Sequence, residues 1–169
     1  GGAERVITIL ANGFARKGHE VTLLAYAWDG KVPAFEVLPS VRLLQVPSKS
    51  LHLRYGSLMR AFSLLLCEWH YLRVIRRNII RYRPNVAVAF MEYSNLRCLL
   101  AAMGTGIPVV ISERTNPYHW KINLMADGFR QLLYPYAAAL VVQSRQVLGY
   151  FNQRIHRRSV IVENPICLP

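Results

Sequence analysis

Six short, mainly apolar runs, four to seven residues each, alternate along this chain with stretches of helical period. They fall at residues 20–26, 41–46, 86–90, 108–112, 139–143 and 159–162. Between them, spacing predicts helices at about 3–17, 57–83, 96–103, 122–134 and 144–152. Gly18 follows the basic turn Arg16-Lys17, Pro84 ends the long second helix, and Gly104 and Gly106 close the third. A strand that returns to a parallel neighbour through a helix is covered on both faces, so its run is continuous rather than alternating. The pattern therefore predicts an α/β fold, a parallel sheet with helices on both faces. No internal repeat or linker divides it, so residues 1–169 read as one domain.

Composition supports a packed core, with 53% hydrophobic and 18% charged residues, and excludes a disordered chain. Nothing resembles a signal peptide. Apolar stretches such as 137–142 fall far short of the roughly 20 residues that a spanning helix needs. Cys67, Cys98 and Cys167 are odd in number and widely spaced, as expected of reduced structural cysteines in a cytoplasmic protein. His19, His52, His70, His119 and His156 show no ligand spacing, so no metal is expected.

Charge is the anomaly. Lys and Arg number 21 against nine acids, a net +12, and arginine outnumbers lysine seventeen to four. Residues 54–83 hold seven arginines (54, 60, 73, 76, 77, 81 and 83) against Glu68. That balance implies an anionic partner. The helix from Leu58 to Arg83 interleaves arginine with Phe62, Trp69, Tyr71 and several leucines and isoleucines. Arginines beside apolar side chains suit a helix lying on an anionic membrane, with Arg73, Arg76 and Arg77 facing it. The alternative is a helix packed on the sheet with a solvated basic face. No nucleic-acid reading module is present, so nucleic acid is not expected as a partner.

Ligands of open parallel sheets bind beyond the carboxyl ends of the strands. Gly1-Gly2 at the entrance of the first helix can bring backbone N–H groups close to a phosphate, or can be an ordinary turn. Glu92 and Asn95 follow the strand ending at Phe90, as ligand groups or as helix caps. Ser144 caps a helix whatever else it does, and Asn164-Pro165 ends the last strand at a turn. The strongest cluster is Glu113, Arg114 and Asn116, since a structural loop gains little from an acid, a guanidinium and an amide at a buried strand's end.

Taken in order, Gly1-Gly2-Ala3-Glu4-Arg5-Val6, Gly18-His19-Glu20-Val21, the stretch from Ile107 through Ser112-Glu113-Arg114-Thr115-Asn116 to Pro117, Val142-Gln143-Ser144 and Val162-Glu163-Asn164-Pro165-Ile166 resemble the N-terminal domain of the family 4 retaining glycosyltransferases. The resemblance spans essentially the whole chain. It implies the Rossmann-like N-terminal half of a GT-B fold, which holds the acceptor, with a nucleotide-sugar donor held mostly by a second domain. Gly1, Gly2 and Ala3 would face the donor diphosphate. Glu113-Arg114 stands where many members carry a histidine, and the register admits either residue in that place. Glu113 would orient or deprotonate the acceptor hydroxyl, while Glu92, Asn95, Asn116 and Ser144 would bind the acceptor. No metal or other cofactor is implied. The acceptor would be a saccharide or lipid-linked saccharide, which places the enzyme in the cytoplasm, peripheral on the membrane's cytoplasmic face. The resemblance also implies a first strand ahead of Gly1 and a donor domain after Pro169, so that residues 1–169 alone should be inert. Two other readings of the residues stand beside it: a module binding anionic lipid or nucleic acid, and a nucleotide-sugar epimerase of related architecture.

Overall fold

The computed structural model describes residues 2–27, 35–47, 57–151 and 153–163. Gly1, Arg54 and Asn164-Pro165 lie outside the described residues. The chain divides into two compact units, Gly1–Cys67 and Glu68–Pro169. In each, parallel strands alternate with helices, and helices lie on both sides of the sheets in the manner of a Rossmann-like domain.

The first unit holds α1 (Gly2–Arg16), β1 (Thr22–Ala27) and β2 (Arg42–Pro47). The two strands pair in parallel, from Thr22 opposite Arg42 to Ala27 opposite Pro47. Val6, Ala11, Val41 and Val46 are buried here. Asn12 fastens the connection to α1: its amide donates to the Glu36 carbonyl at 2.9 Å, and its carbonyl oxygen accepts from the Leu38 N–H at 3.0 Å. Gly18 reverses the chain after α1 with φ 85°, a conformation that residues bearing a Cβ avoid.

Helix α2 (Ser57–Tyr82) leads into the second unit, which continues with β3 (Ala87–Phe90), α3 (Glu92–Ala102), β4 (Val109–Ser112), α4 (Leu124–Leu133), β5 (Ala139–Val142), α5 (Arg145–Leu148), α6 (Gln153–His156) and β6 (Ser159–Ile161). A single 3-10 turn, Tyr134–Tyr136, joins α4 to β5. The sheet order is β3-β4-β5-β6, all parallel. Ile111, Leu140 and Val142 are fully covered at its centre. Ile75 and Ile79, four residues apart and so on one face of α2, are buried as well.

Two elements depart from the sequence expectation. Helix α3 starts at Glu92 rather than Leu96, because Met91 takes φ 72° and turns the chain straight out of β3. The helix expected over 144–152 stops at Leu148 as α5, and α6 begins beyond that range at Gln153. After Leu148 the bonds tighten, with Tyr150 N–H on the Val147 carbonyl and Phe151 N–H on the Leu148 carbonyl, and Phe151 is drawn into the core beside Tyr134.

Ile111 is enclosed on both sheet faces. Ile111→Ala should therefore cost about 2–5 kcal/mol of unfolding free energy, measured by urea denaturation. Leu65→Ala, on an exposed side chain of α2, should stay within about 0.5 kcal/mol in the same assay.

Candidate functional site

The carboxyl end of β4 is gripped from both neighbouring strands. The Met91 N–H donates to the Ser112 carbonyl at 3.1 Å, and the Glu113 N–H donates to the Val141 carbonyl at 2.9 Å. The Gln143 side chain then reaches the Arg114 carbonyl at 3.2 Å. The loop therefore leaves the sheet in a fixed direction. Asn116 shapes the turn beyond it, its side-chain oxygen accepting from Tyr118 N–H at 3.0 Å while its carbonyl accepts from Trp120 N–H at 2.8 Å.

Glu113 points inward and is 0% exposed. Tyr134 donates its hydroxyl to Oε1 in a short bond, and the Asn95 amide approaches the same oxygen at 3.4 Å. Asn95 also donates to the Ser112 carbonyl and the Tyr134 oxygen, each at 3.1 Å. Among the described residues, Glu113 Oε2 has no bonding partner. Burial pushes the Glu113 carboxyl above its ordinary value, and this outweighs the opposing pull of Tyr134, Arg130 and Asn95; Glu92 adds to the rise. The Tyr134 hydroxyl is raised well above its usual range by burial and by the Glu113 charge, so it stays a donor.

Behind this pair lies Arg130, 1% exposed. Its Nε donates to Asp127 Oδ1 at 2.9 Å, and Tyr150 donates its hydroxyl to the same carboxylate at 3.1 Å. The guanidinium lies 4.8 Å from the Tyr150 ring centroid. Burial lowers the Arg130 pKa, but Asp127 and Glu113 together overcome that and leave it raised. Asn123 caps α4, its side-chain oxygen accepting from Ala126 N–H at 2.7 Å.

The structure changes the part several predicted site residues can play. Glu113 and Asn95 are inside the fold, where a carboxylate and an amide fasten the loop. Glu92 is also buried, with Thr115 donating to it at 3.4 Å. Ser144 accepts from Val147 N–H at 3.3 Å as the cap of α5. Arg76 is exposed, and its guanidinium donates to the Ala101 and Met103 carbonyls at the end of α3, at 2.9 and 2.7 Å. Arg73 and Arg77 are exposed. Arg114 is half-buried at the rim, its guanidinium 5.7 Å from the Phe90 ring centroid, and partial burial lowers its pKa. In the other unit, Gly2 and Ala3 form the first turn of α1, and a Cβ at Gly2 would meet nothing within 4 Å.

Tyr134, Arg130, Asp127 and Tyr150 are additions to the sequence reading. Only the Asp127–Arg130 pair, one helical turn apart, left a signal there. Met91 is another addition. Its φ of 72° with ψ 148° is a region almost reserved for glycine, held here by bonds at both its N–H and its carbonyl.

The profile of Glycosyltransferase Family 4 matches residues 1–168. The chain belongs to that family. Among known proteins, this family 4 chain is 25% identical over 166 residues to the GalNAc-alpha-(1->4)-GalNAc-alpha-(1->3)-diNAcBac-PP-undecaprenol alpha-1,4-N-acetyl-D-galactosaminyltransferase of Campylobacter jejuni, covering 98% of this chain and 43% of that protein. A 46-residue stretch is 46% identical to the UDP-N-acetylglucosamine--N-acetylmuramyl-(pentapeptide) pyrophosphoryl-undecaprenol N-acetylglucosamine transferase of Sinorhizobium fredii, covering 27% of this chain and 12% of that protein. The chain spans less than half the length of these curated relatives.

Glu113 sets a pH test. A raised folded pKa means that the folded state keeps a proton which the unfolded state releases, so this group's contribution to stability falls as pH rises from about 4.5 through the raised value. Glu113→Gln removes that titration and should flatten the stability–pH slope between about 4.5 and the raised value, gaining on the wild type as pH rises through that window. Glu113→Ala leaves the Tyr134 hydroxyl without its acceptor and should cost about 1–3 kcal/mol at every pH, read by urea denaturation.

Proposed function

We propose that the full-length protein transfers a sugar from a nucleotide-sugar donor to a saccharide or lipid-linked saccharide acceptor, with retention of anomeric configuration, and that this chain carries the acceptor side. Family membership across residues 1–168 is the observation that carries the reading. The names of both relatives, each specifying an undecaprenol diphosphate acceptor, support the lipid-linked class. The setting is the building of a lipid-linked glycan, with the protein peripheral on the cytoplasmic face of a membrane, where the exposed Arg73 and Arg77 would meet anionic lipid.

The chemistry needs no metal from these residues. The first turn of α1 offers unpaired N–H groups and a positive dipole end to the donor diphosphate, with Gly2 letting the anion approach closely. Charge that develops on the departing diphosphate is stabilised there without reorganisation of the site. Arg114 takes the contact role at the acceptor rim, its planar donors suiting sugar hydroxyls or phosphate. Glu113 is a positioning residue. It holds the strand end from which Arg114 projects, with Tyr134 and Asn95 holding it in turn.

The test is transfer by the full-length protein from labelled nucleotide sugars to polyprenyl-diphosphate-linked saccharide, with the product's anomeric configuration read by NMR. Transfer with retention, undiminished by EDTA, is expected. Arg114→Ala should lower kcat/KM by about 100-fold or more, whereas Glu113→Gln should leave it within about tenfold. Residues 1–169 alone should show no turnover. Absence of transfer from every nucleotide sugar, or an inverted product, overturns the reading.

A further inference from the structure

Helix α4 is built the wrong way round for a helix in water. Its two charged residues, Asp127 and Arg130, turn inward and bond to each other, and Ala126 and Leu133 pack beside them. Its outward face is apolar: Leu124 is 91% exposed, Met125 77%, Leu132 60% and Phe129 50%. Trp120 ahead of the helix and Tyr136 behind it are also open, at 63% and 70%. In a helix, positions 124, 125, 128, 129 and 132 share one side, so these side chains form one continuous patch. Solvating that patch is unfavourable, and an exposed apolar surface of this kind marks an interaction site.

We propose that the outward face of α4 is a second membrane contact, inserting into the headgroup–acyl boundary of a bilayer. The chemistry of the patch favours lipid over protein. Aromatic rings that are polar at one edge bracket an aliphatic centre, the order in which a bilayer interface grades from headgroup to chain. Between Tyr118 and Tyr136 the acid Asp127 is held by Arg130 and Tyr150, while Lys121 is exposed at the helix entrance. The surface therefore offers an anionic bilayer attraction and no repulsion, in keeping with a chain of net charge +12. This contact is apolar, unlike the electrostatic one assigned to Arg73 and Arg77, so the two respond differently to salt. The inference extends the transferase reading but its main readout, vesicle binding, does not require turnover.

The experiment is co-sedimentation of the full-length protein with phosphatidylcholine vesicles containing phosphatidylglycerol, at low and high salt. Wild type should keep a salt-resistant fraction of its binding. Leu124→Glu with Leu132→Glu, at positions too exposed to unfold the chain, should weaken partitioning at high salt by about tenfold or more. Arg73→Gln with Arg77→Gln should remove mainly the salt-sensitive part. The glutamate pair should still turn over a short-chain, water-soluble acceptor, which separates loss of membrane docking from failure of the transferase reading. A polarity-sensitive dye on Leu124→Cys should report water before vesicles are added and an apolar medium after. Unchanged vesicle binding by the glutamate pair overturns the proposal. So does a dye already shielded without vesicles, or a dimer that the glutamate pair dissociates, since either outcome assigns the face to protein.

Discussion

The carboxyl group of Glu113 is fully buried in the second unit, and much around it is arranged to hold it. Taking an ionised carboxylate out of water costs several kcal/mol unless donors and opposite charge replace the lost hydration. Tyr134 and Asn95 supply the donors and Arg130 the charge, from three different elements. The requirement therefore ties α3, α4 and the turn before β5 to the end of β4. That tie fixes where the chain leaves the sheet, and so where Arg114 stands.

Much of the fold was legible because strand burial is written in continuous apolar runs. All six strands lie within or beside the predicted ranges, and the helix–strand alternation correctly implied parallel pairing. The loop after β4 also stood out, since Glu113, Arg114 and Asn116 follow a buried strand directly. The partners of Glu113 were not legible. Tyr134 lies 21 residues beyond it and Asn95 18 before it, and only the folded chain brings them together. The start of α3 was hidden for a different reason. A methionine in a glycine-like conformation is the outcome of surrounding bonds, and no local propensity announces it.

Side-chain geometry divides the arginines among several tasks. The basic excess suggested one anionic partner, yet the guanidinium groups have several employments. Arg130 is a buried counter-ion, Arg76 closes the carbonyl end of α3, and Arg158 donates to the Ala137 carbonyl at 3.2 Å. Arg130 uses two nitrogens of its planar fork on one carboxylate, which lysine cannot imitate, while Arg76 and Arg158 each serve two carbonyls from one nitrogen. Part of the arginine bias is thus internal to the fold. Formal charge on an amphipathic helix is consequently a weaker guide to a membrane face than the direction of each side chain.

The orientation of α4 follows from the same buried carboxylate. Asp127, Arg130 and Gln131 share one side of this helix and the large apolar residues the other, so periodicity alone would turn Leu124, Met125, Phe129 and Leu132 inward. The choice is electrostatic. Arg130 must approach Glu113, and Asp127, one turn earlier, must accompany it to balance the guanidinium. Once those two positions are inside, helical geometry leaves Leu124, Met125, Phe129 and Leu132 on the opposite side. An apolar outer face is therefore the counterpart of an inner face that turns Arg130 toward the Glu113 charge.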